Sequence, residues 1–193
     1  RLGLDDRCVV LCFGYLAPYK GLELAATAAA LAGPDVHVVF AGGPHPRLDA
    51  DDYEAELRAL SAGRATFTGW VPDEHVATWF DAADVALFGY PKPFSASGAL
   101  ALALAHGTPV MLSPALARCV GAPSTLAAPM DARALAARFD QLAAARDELG
   151  RLAEWTAVLR REREWSHVAR RHLDLYEEVR DGFDPAGRRV RAR

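Results

Sequence analysis

Five short stretches of this chain are apolar almost throughout, not on alternate residues, and longer helix-like segments separate them. They are RCVVLCFGYL (Arg7–Leu16), DVHVVFAGG (Asp35–Gly43), ATFTGWV (Ala65–Val71), DVALFGY (Asp84–Tyr90) and TPVMLS (Thr108–Ser113). STLAAP (Ser124–Pro129) reads as a weaker sixth. A strand that is apolar on both faces has to be covered on both, and a parallel sheet between two helical layers does this. The segments between the strands supply the helices. LELAATAAALAG (Leu22–Gly33) is alanine-rich and ends on glycine, and ADDYEAELRALSAG (Ala50–Gly63) carries acids in its first turn. PDEHVATWFDAA (Pro72–Ala83) starts on Pro-Asp and turns Val76, Trp79 and Phe80 to one side. DARALAARFDQLAAA (Asp131–Ala145) is a further helix. A charged segment then leads to SHVARRHLDLYEEV (Ser166–Val179), with Ser166 as N-cap and Val168, Leu175 and Val179 as its apolar stripe. The expected fold is α/β: a Rossmann-like, doubly wound parallel sheet forming one domain over residues 1–181, followed by a basic tail over 182–193.

A chain of 193 residues with net charge −3 buries a substantial core and offers nucleic acid no basic surface. The exception, GRRVRAR at the end, reads either as a solvated tail or as a contact for an anionic surface. Cys8 and Cys12 lie in an apolar run and Cys119 stands apart, so neither a disulfide framework nor a zinc spacing is present. No run of about 18 to 20 apolar residues occurs to span a membrane. A reduced, cytoplasmic setting is expected. The sequence opens on Arg1 without Met and reads as cut from something longer.

Doubly wound sheets bind ligands at the carboxyl ends of their strands. After the first strand comes GYLAPYKG, where Gly14 allows close backbone approach and Lys20 stands just before a helix. Lys20 reads as a cation for an anionic ligand or as a plain turn lysine. Gly42 and Gly43, after the second strand, make either a tight turn or a ligand-facing backbone. The third loop, PKPFSASGAL, places Ser95, Ser97 and Gly98 at the head of a helix whose first N–H groups carry partial positive charge. A diphosphate fits there, although Ser97 is also a good N-cap. The helix that follows, GALALALAH, has no polar face, and is expected to be buried on most sides by this domain or by a neighbour. Neither G-x-G-x-x-G nor a P-loop is present, and no metal-ligand set appears. His37 reads as a satisfied strand histidine and His45 as isolated. Trp70, Trp79 and Phe80 read as core or lid aromatics, one of which could stack on a base.

In this order, FGYLAPYKGLE, VVFAGG, FTGWVPDEHVATWFDAADVAL, ALAHGTPVMLS and WSHVARRHLDLYEEV resemble the C-terminal, donor-binding half of retaining GT-B glycosyltransferases, the glycogen-synthase-like and mannosyltransferase-like group 1 enzymes. The resemblance implies transfer of a hexose from a nucleotide diphosphate sugar, with no metal or other cofactor needed. It puts Lys20 on the donor phosphates and Gly42 and Gly43 along the cleft. Trp70 and Val71 fall beside the nucleobase, and Ser97, Gly98 and Ala99 at the helix start whose amides hold the diphosphate. Expected partners are the nucleotide sugar, an N-terminal acceptor-binding domain outside this chain and, through the full-length protein, a membrane surface.

Two departures stand out. The family's arginine five residues before the lysine is Tyr15 here, and its two glutamates, eight apart, fall on Phe94 and Leu102. No Asp or Glu occurs between Asp84 and Asp131, so no shift in register restores them. Losing a charge-assisted bond to a ribose costs about 1.5–3 kcal/mol. Three explanations compete. The chain is a divergent branch in which Ser95, Ser97 and Lys92 replace the lost groups, or it takes a different donor, or it is a non-catalytic homologue kept as a binding or interaction module. No catalytic residue is assigned.

Overall fold

The computed structural model describes residues 6–46, 51–93 and 97–182. Five parallel strands form the sheet: β1 (Cys8–Phe13), β2 (Val36–Ala41), β3 (Ala65–Phe67), β4 (Val85–Phe88) and β5 (Val110–Leu112), in the order β3-β2-β1-β4-β5. This is the Rossmann-like, doubly wound parallel sheet expected. β1 is central and pairs with β2 along its whole length, from Cys8 opposite Val36 to Phe13 opposite Ala41. At its start Asp84 clamps it to β4: the Val9 N–H donates to Asp84 Oδ2 at 2.8 Å and the Asp84 N–H to the Val9 carbonyl at 3.0 Å.

From β1 the chain steps outward through α1 (Leu22–Leu31) and α2 (Asp51–Leu60) to β3. It then crosses back through α3 (Asp73–Asp81) and α4 (Gly98–His106) to β5. Right-handed crossovers in the two directions put the two helix pairs on opposite faces. α1 packs on α2 and on α6 (Ala132–Ala144), while α3 packs on α4. Phe40, Phe80, Phe139, Leu11, Leu57 and Met111 are fully buried between the layers. Buried hydroxyls pin the far edge: Thr156 Oγ1 accepts from the Val110 N–H at 3.0 Å and donates to the Leu152 carbonyl at 2.7 Å.

The chain divides into two compact units, one ending at Ala157 and the other beginning at Val158, within helix α7 (Arg146–Arg161). In the second unit, α8 (Trp165–Asp181) buries none of its residues and exposes Trp165, Leu173, Leu175, Tyr176 and Val179.

Several expectations are corrected. The charged stretch before Ser166 is itself helical, as α7, because its charges lie on a solvated face while Leu152 and Thr156 turn inward. α8 starts two residues earlier than its serine suggested: Glu164 is the N-cap and Ser166 lies inside the helix. The weak sixth strand is a 3-10 turn, Ser124–Leu126, joined to the sheet by a single bridge between Leu112 and Ala127. α5 (Pro114–Cys119), capped by Ser113, was not expected. Helix α4 is buried only through Leu100, Ala103 and Leu104, and Ala101, Leu102 and Ala105 are exposed, so this domain alone does not cover it. The tail beyond Gly182 lies outside the described residues.

Candidate functional site

β1 and β4 are neighbours, yet the chain leaves them in opposite directions. The gap between their carboxyl ends is therefore the switch point where such sheets take ligands. Three of the residues singled out meet there. A methyl group on Gly14 would stand 2.8 Å from Lys20 Nζ and 3.9 Å from Ala99 Cβ. Gly14 has φ 94°, so a side chain is excluded by backbone as well as by space. Lys20 ends a 3-10 turn, Pro18–Lys20, and α1 begins just beyond it.

Lys20 is only 7% exposed. Its ammonium donates to the Phe13 carbonyl at 3.3 Å, and no carboxylate pairs with it among the described residues. Burial pulls its pKa down to about 8, and Cys12, the neighbour that acts on it, opposes this slightly. Cys12 is itself pushed up to about 12 by burial, so it stays a neutral thiol and gives Lys20 no counter-charge at neutral pH. At pH 7 the amine is still mainly protonated, desolvated and short of acceptors. An anion arriving beside it gains far more than it would beside a surface lysine.

The head of α4 faces the same gap. Ser97 is the N-cap: its Oγ accepts from the Leu100 N–H at 3.2 Å, and its carbonyl from the Ala101 N–H at 3.0 Å. One amide expected for a ligand is thus taken by the protein's own hydroxyl. The amides of Gly98 and Ala99 meet no acceptor among the described residues. Among the described residues nothing lies within 4 Å of where a Gly98 side chain would be, and Gly98 is exposed. Ser97 Oγ also lies 3.1 Å from Tyr90 Oη. With the tyrosine as donor, the serine keeps its own O–H free for an incoming oxygen.

The second and third loops close on the first. Gly42, at φ 153°, lies so close against the Gly14 carbonyl that a β-carbon would collide with it. A β-carbon on Gly43 would stand 3.3 Å from Trp70 N. Trp70 itself is 64% exposed, whereas Val71 is buried. β3 ends at Phe67, which leaves both in the loop and not in the strand expected there. Lys92 is exposed on the loop after β4, and no contact among the described residues ties it to Lys20 or α4. Ser95 and Phe94 lie outside the described residues.

Sequence reasoning named Tyr15 and Trp70 but did not foresee that the aromatics of these loops meet. The Tyr15 ring lies 5.0 Å from His45 and 5.7 Å from Trp70, and Tyr19 lies 6.5 Å from His45 and stacks at 6.2 Å on Tyr90. His45 is therefore not isolated. The available signal was position: each of these residues follows the carboxyl end of a strand. His37, by contrast, is the satisfied strand histidine expected, 2.9 Å from Thr66 Oγ1.

A cavity of about 840 Å³ lies elsewhere, lined by Arg7, Val9, Asp35, Asp84, Trp79 and Leu142 among others. It opens at the amino ends of β1, β2 and β4 and touches the loops above through Thr68, Trp70, Val71 and Pro72. It lacks both Lys20 and the head of α4, so its size does not make it the anion site. Among the described residues no cluster of His, Cys, Asp and Glu is placed to hold a metal ion, and no helix is long and apolar enough to cross a membrane.

Solved structures share this arrangement. HepE from Anabaena, in complex with UDP and glucose, superposes with a TM-score of 0.73 at 20% identity, over 93% of this chain and 50% of that one. Sucrose-phosphate synthase from Thermosynechococcus elongatus gives 0.73 at 25% identity, over 92% and 46%. The C-terminal domain of a group 1 family glycosyl transferase, LpcC from Francisella tularensis, gives 0.64 at 20% identity, over 80% of this chain and 85% of that domain. This last match shows which domain of such enzymes the fold corresponds to. The fold is that of a GT-B glycosyltransferase C-terminal domain. The chain spans about half the length of HepE and of sucrose-phosphate synthase. No family profile and no curated protein matches its sequence.

Proposed function

We propose that this GT-B domain is the donor-binding half of a glycosyltransferase, moving a hexose from a nucleotide diphosphate sugar to an acceptor with retention. One observation carries the reading: a buried lysine with no carboxylate partner among the described residues stands at the sheet's switch point, beside a helix head whose first two amides meet no acceptor among those residues. As the glycosidic bond breaks, the diphosphate leaves with the electron pair. Lys20 and the Gly98 and Ala99 amides would then stabilise its growing charge. A structure of similar fold supports a nucleotide sugar as ligand, since HepE was solved with UDP-glucose.

Lys20→Ala tests this by calorimetry. Removing a charge-assisted contact costs about 1.5–3 kcal/mol, so affinity for a nucleoside diphosphate should fall one to two decades. Unchanged affinity would place the ligand elsewhere.

A second reading has its own observation: no Asp or Glu occurs from Val85 to Met130, which leaves the helix head without carboxylates for a sugar or ribose. On that reading the domain is a non-catalytic binding module. A thermal-shift panel separates the two. A nucleotide sugar that raises Tm supports the enzyme, and no response to any of them supports the module.

A further inference from the structure

Of the 22 lysines and arginines in the chain only two are lysines, Lys20 and Lys92. Both follow strands that flank the switch point, Lys20 after β1 and Lys92 after β4. Arginine carries its charge at any pH a protein meets, whereas a lysine that loses its proton becomes a nucleophile. The two lysines differ in their surroundings. Lys92 is exposed, and no hydrogen bond or ion pair holds it among the described residues. Lys20 is 7% exposed, and its amine lies over Gly14, beside Ala99 at the head of α4. Its one hydrogen bond, to the Phe13 carbonyl, is long at 3.3 Å. Burial lowers its pKa to about 8, so about a tenth of it is unprotonated at pH 7 and about half at pH 8.

The same point offers a phosphoryl group a seat. The Gly98 and Ala99 amides meet no acceptor among the described residues, and Gly98 is exposed, so an anion reaches them from outside. We infer that Lys20 is a site of acylation by acyl phosphates, with the phosphoryl end docked on the Gly98 and Ala99 amides and the acyl carbon presented to Nζ. The neutral amine attacks the carbonyl carbon and a C–N bond forms. The bond from that carbon to the phosphate oxygen breaks, phosphate leaves with the electron pair, and the amine's proton passes to solvent. The docked phosphoryl group pulls the amine's pKa part of the way back up, but from a value already well below that of an ordinary lysine. The product is a neutral amide. It lacks the cation on which the proposed donor site depends, so acylation switches nucleotide binding off. This rests on the donor-binding reading and gives its anion site a means of regulation.

Acetyl phosphate and a neutral acetylating ester, N-acetoxysuccinimide, test it on the unmodified 193-residue chain at about pH 8. Acetylation at Lys20 and at Lys92 is read separately by peptide mass spectrometry. Lys92 is the internal reference, so no variant has to fold. With acetyl phosphate Lys20 should outpace Lys92 by about tenfold, because docking makes the attack intramolecular. With the neutral ester the order should reverse, since access to the amine then decides. Inorganic pyrophosphate should remove the lead of Lys20 and leave Lys92 unchanged. Equal rates at the two lysines with acetyl phosphate, a lead of Lys20 with both reagents, or no protection by pyrophosphate would each overturn the inference. Calorimetry with uridine and guanosine diphosphates separates this outcome from failure of the donor reading. If they bind the parent chain, lose affinity in Lys20→Ala, and no selective acetylation occurs, the donor site stands and the modification falls. If acetylation is selective but neither diphosphate binds, the acylation site stands and the donor reading falls.

Discussion

At the scale of single residues, Lys20 is the group whose behaviour departs most from its type. Its folded pKa of about 8 lies below the ordinary 10.5 because burial disfavours the charged amine. Between those values the unfolded chain binds more protons than the folded one, so the stability of the fold rises with pH through that window. Below about pH 8 the full cost of burying the charge is present. Lys20→Met should therefore be more stable than the parent at pH 7, by on the order of 2–3 kcal/mol, and the gap should close as pH approaches 10. Urea denaturation at pH 7 and pH 10 reads it, and equal gaps at both would show that the amine is not desolvated. The ligand shifts the same equilibrium the other way, since a diphosphate favours the protonated amine. Binding at pH 9 should take up a proton, seen as a dependence of calorimetric heat on buffer ionisation, and affinity should fall by about tenfold from pH 7 to pH 9. Sequence position alone marked Lys20 as a candidate. Its burial depends on Phe13, Gly14 and Ala99 converging around it, which only the fold brings about.

At the scale of elements, the loops are built around glycines with different duties, and two substitutions separate them. Gly42→Ala forces a β-carbon into the Gly14 carbonyl at a positive φ. Neither backbone can yield without moving the end of β1 or β2, so a loss of about 2 kcal/mol or more is expected, with nucleotide binding lost alongside. Gly98→Ala adds its methyl at a helix start where no described residue lies within 4 Å. Alanine is the better helix former there, so Tm should hold or rise slightly, while the methyl crowds the amides and weakens diphosphate binding. Thermal unfolding with a nucleotide titration checks both. A Gly98→Ala chain that binds normally would remove the helix head from the site. The strands were legible in the sequence because burial on both faces leaves unbroken apolar runs such as VVLCF and VHVVF. Helix α7 was not, since Arg146–Arg161 is dominated by charges and its inward residues are widely spaced. The aromatic run was hidden for another reason: Tyr15, His45 and Trp70 follow three different strands, and only the β3-β2-β1 order sets them side by side.

At the scale of the whole molecule, binding and turnover are separable. Lys20 and the amides of α4 both belong to the unit that ends at Ala157, so on the proposed reading this unit carries the phosphate-binding groups. Transfer needs more. The acceptor oxygen must sit against the sugar's reacting carbon with water excluded. The described residues of the loops around Lys20 include no Asp or Glu, and α4 shows solvent an apolar side of Ala101, Leu102 and Ala105. HepE and sucrose-phosphate synthase are about twice as long as the stretch they share with this chain, which leaves room in each for a second wall to such a cleft. The chain by itself should therefore bind a nucleotide sugar without transferring it. Incubation with a radiolabelled donor, followed by separation of sugar from nucleotide, should show no release above the uncatalysed rate, while the same donor raises Tm. Measurable transfer by this chain alone would mean that the groups around Lys20 already form a complete centre, and the division of labour between two halves would have to be abandoned.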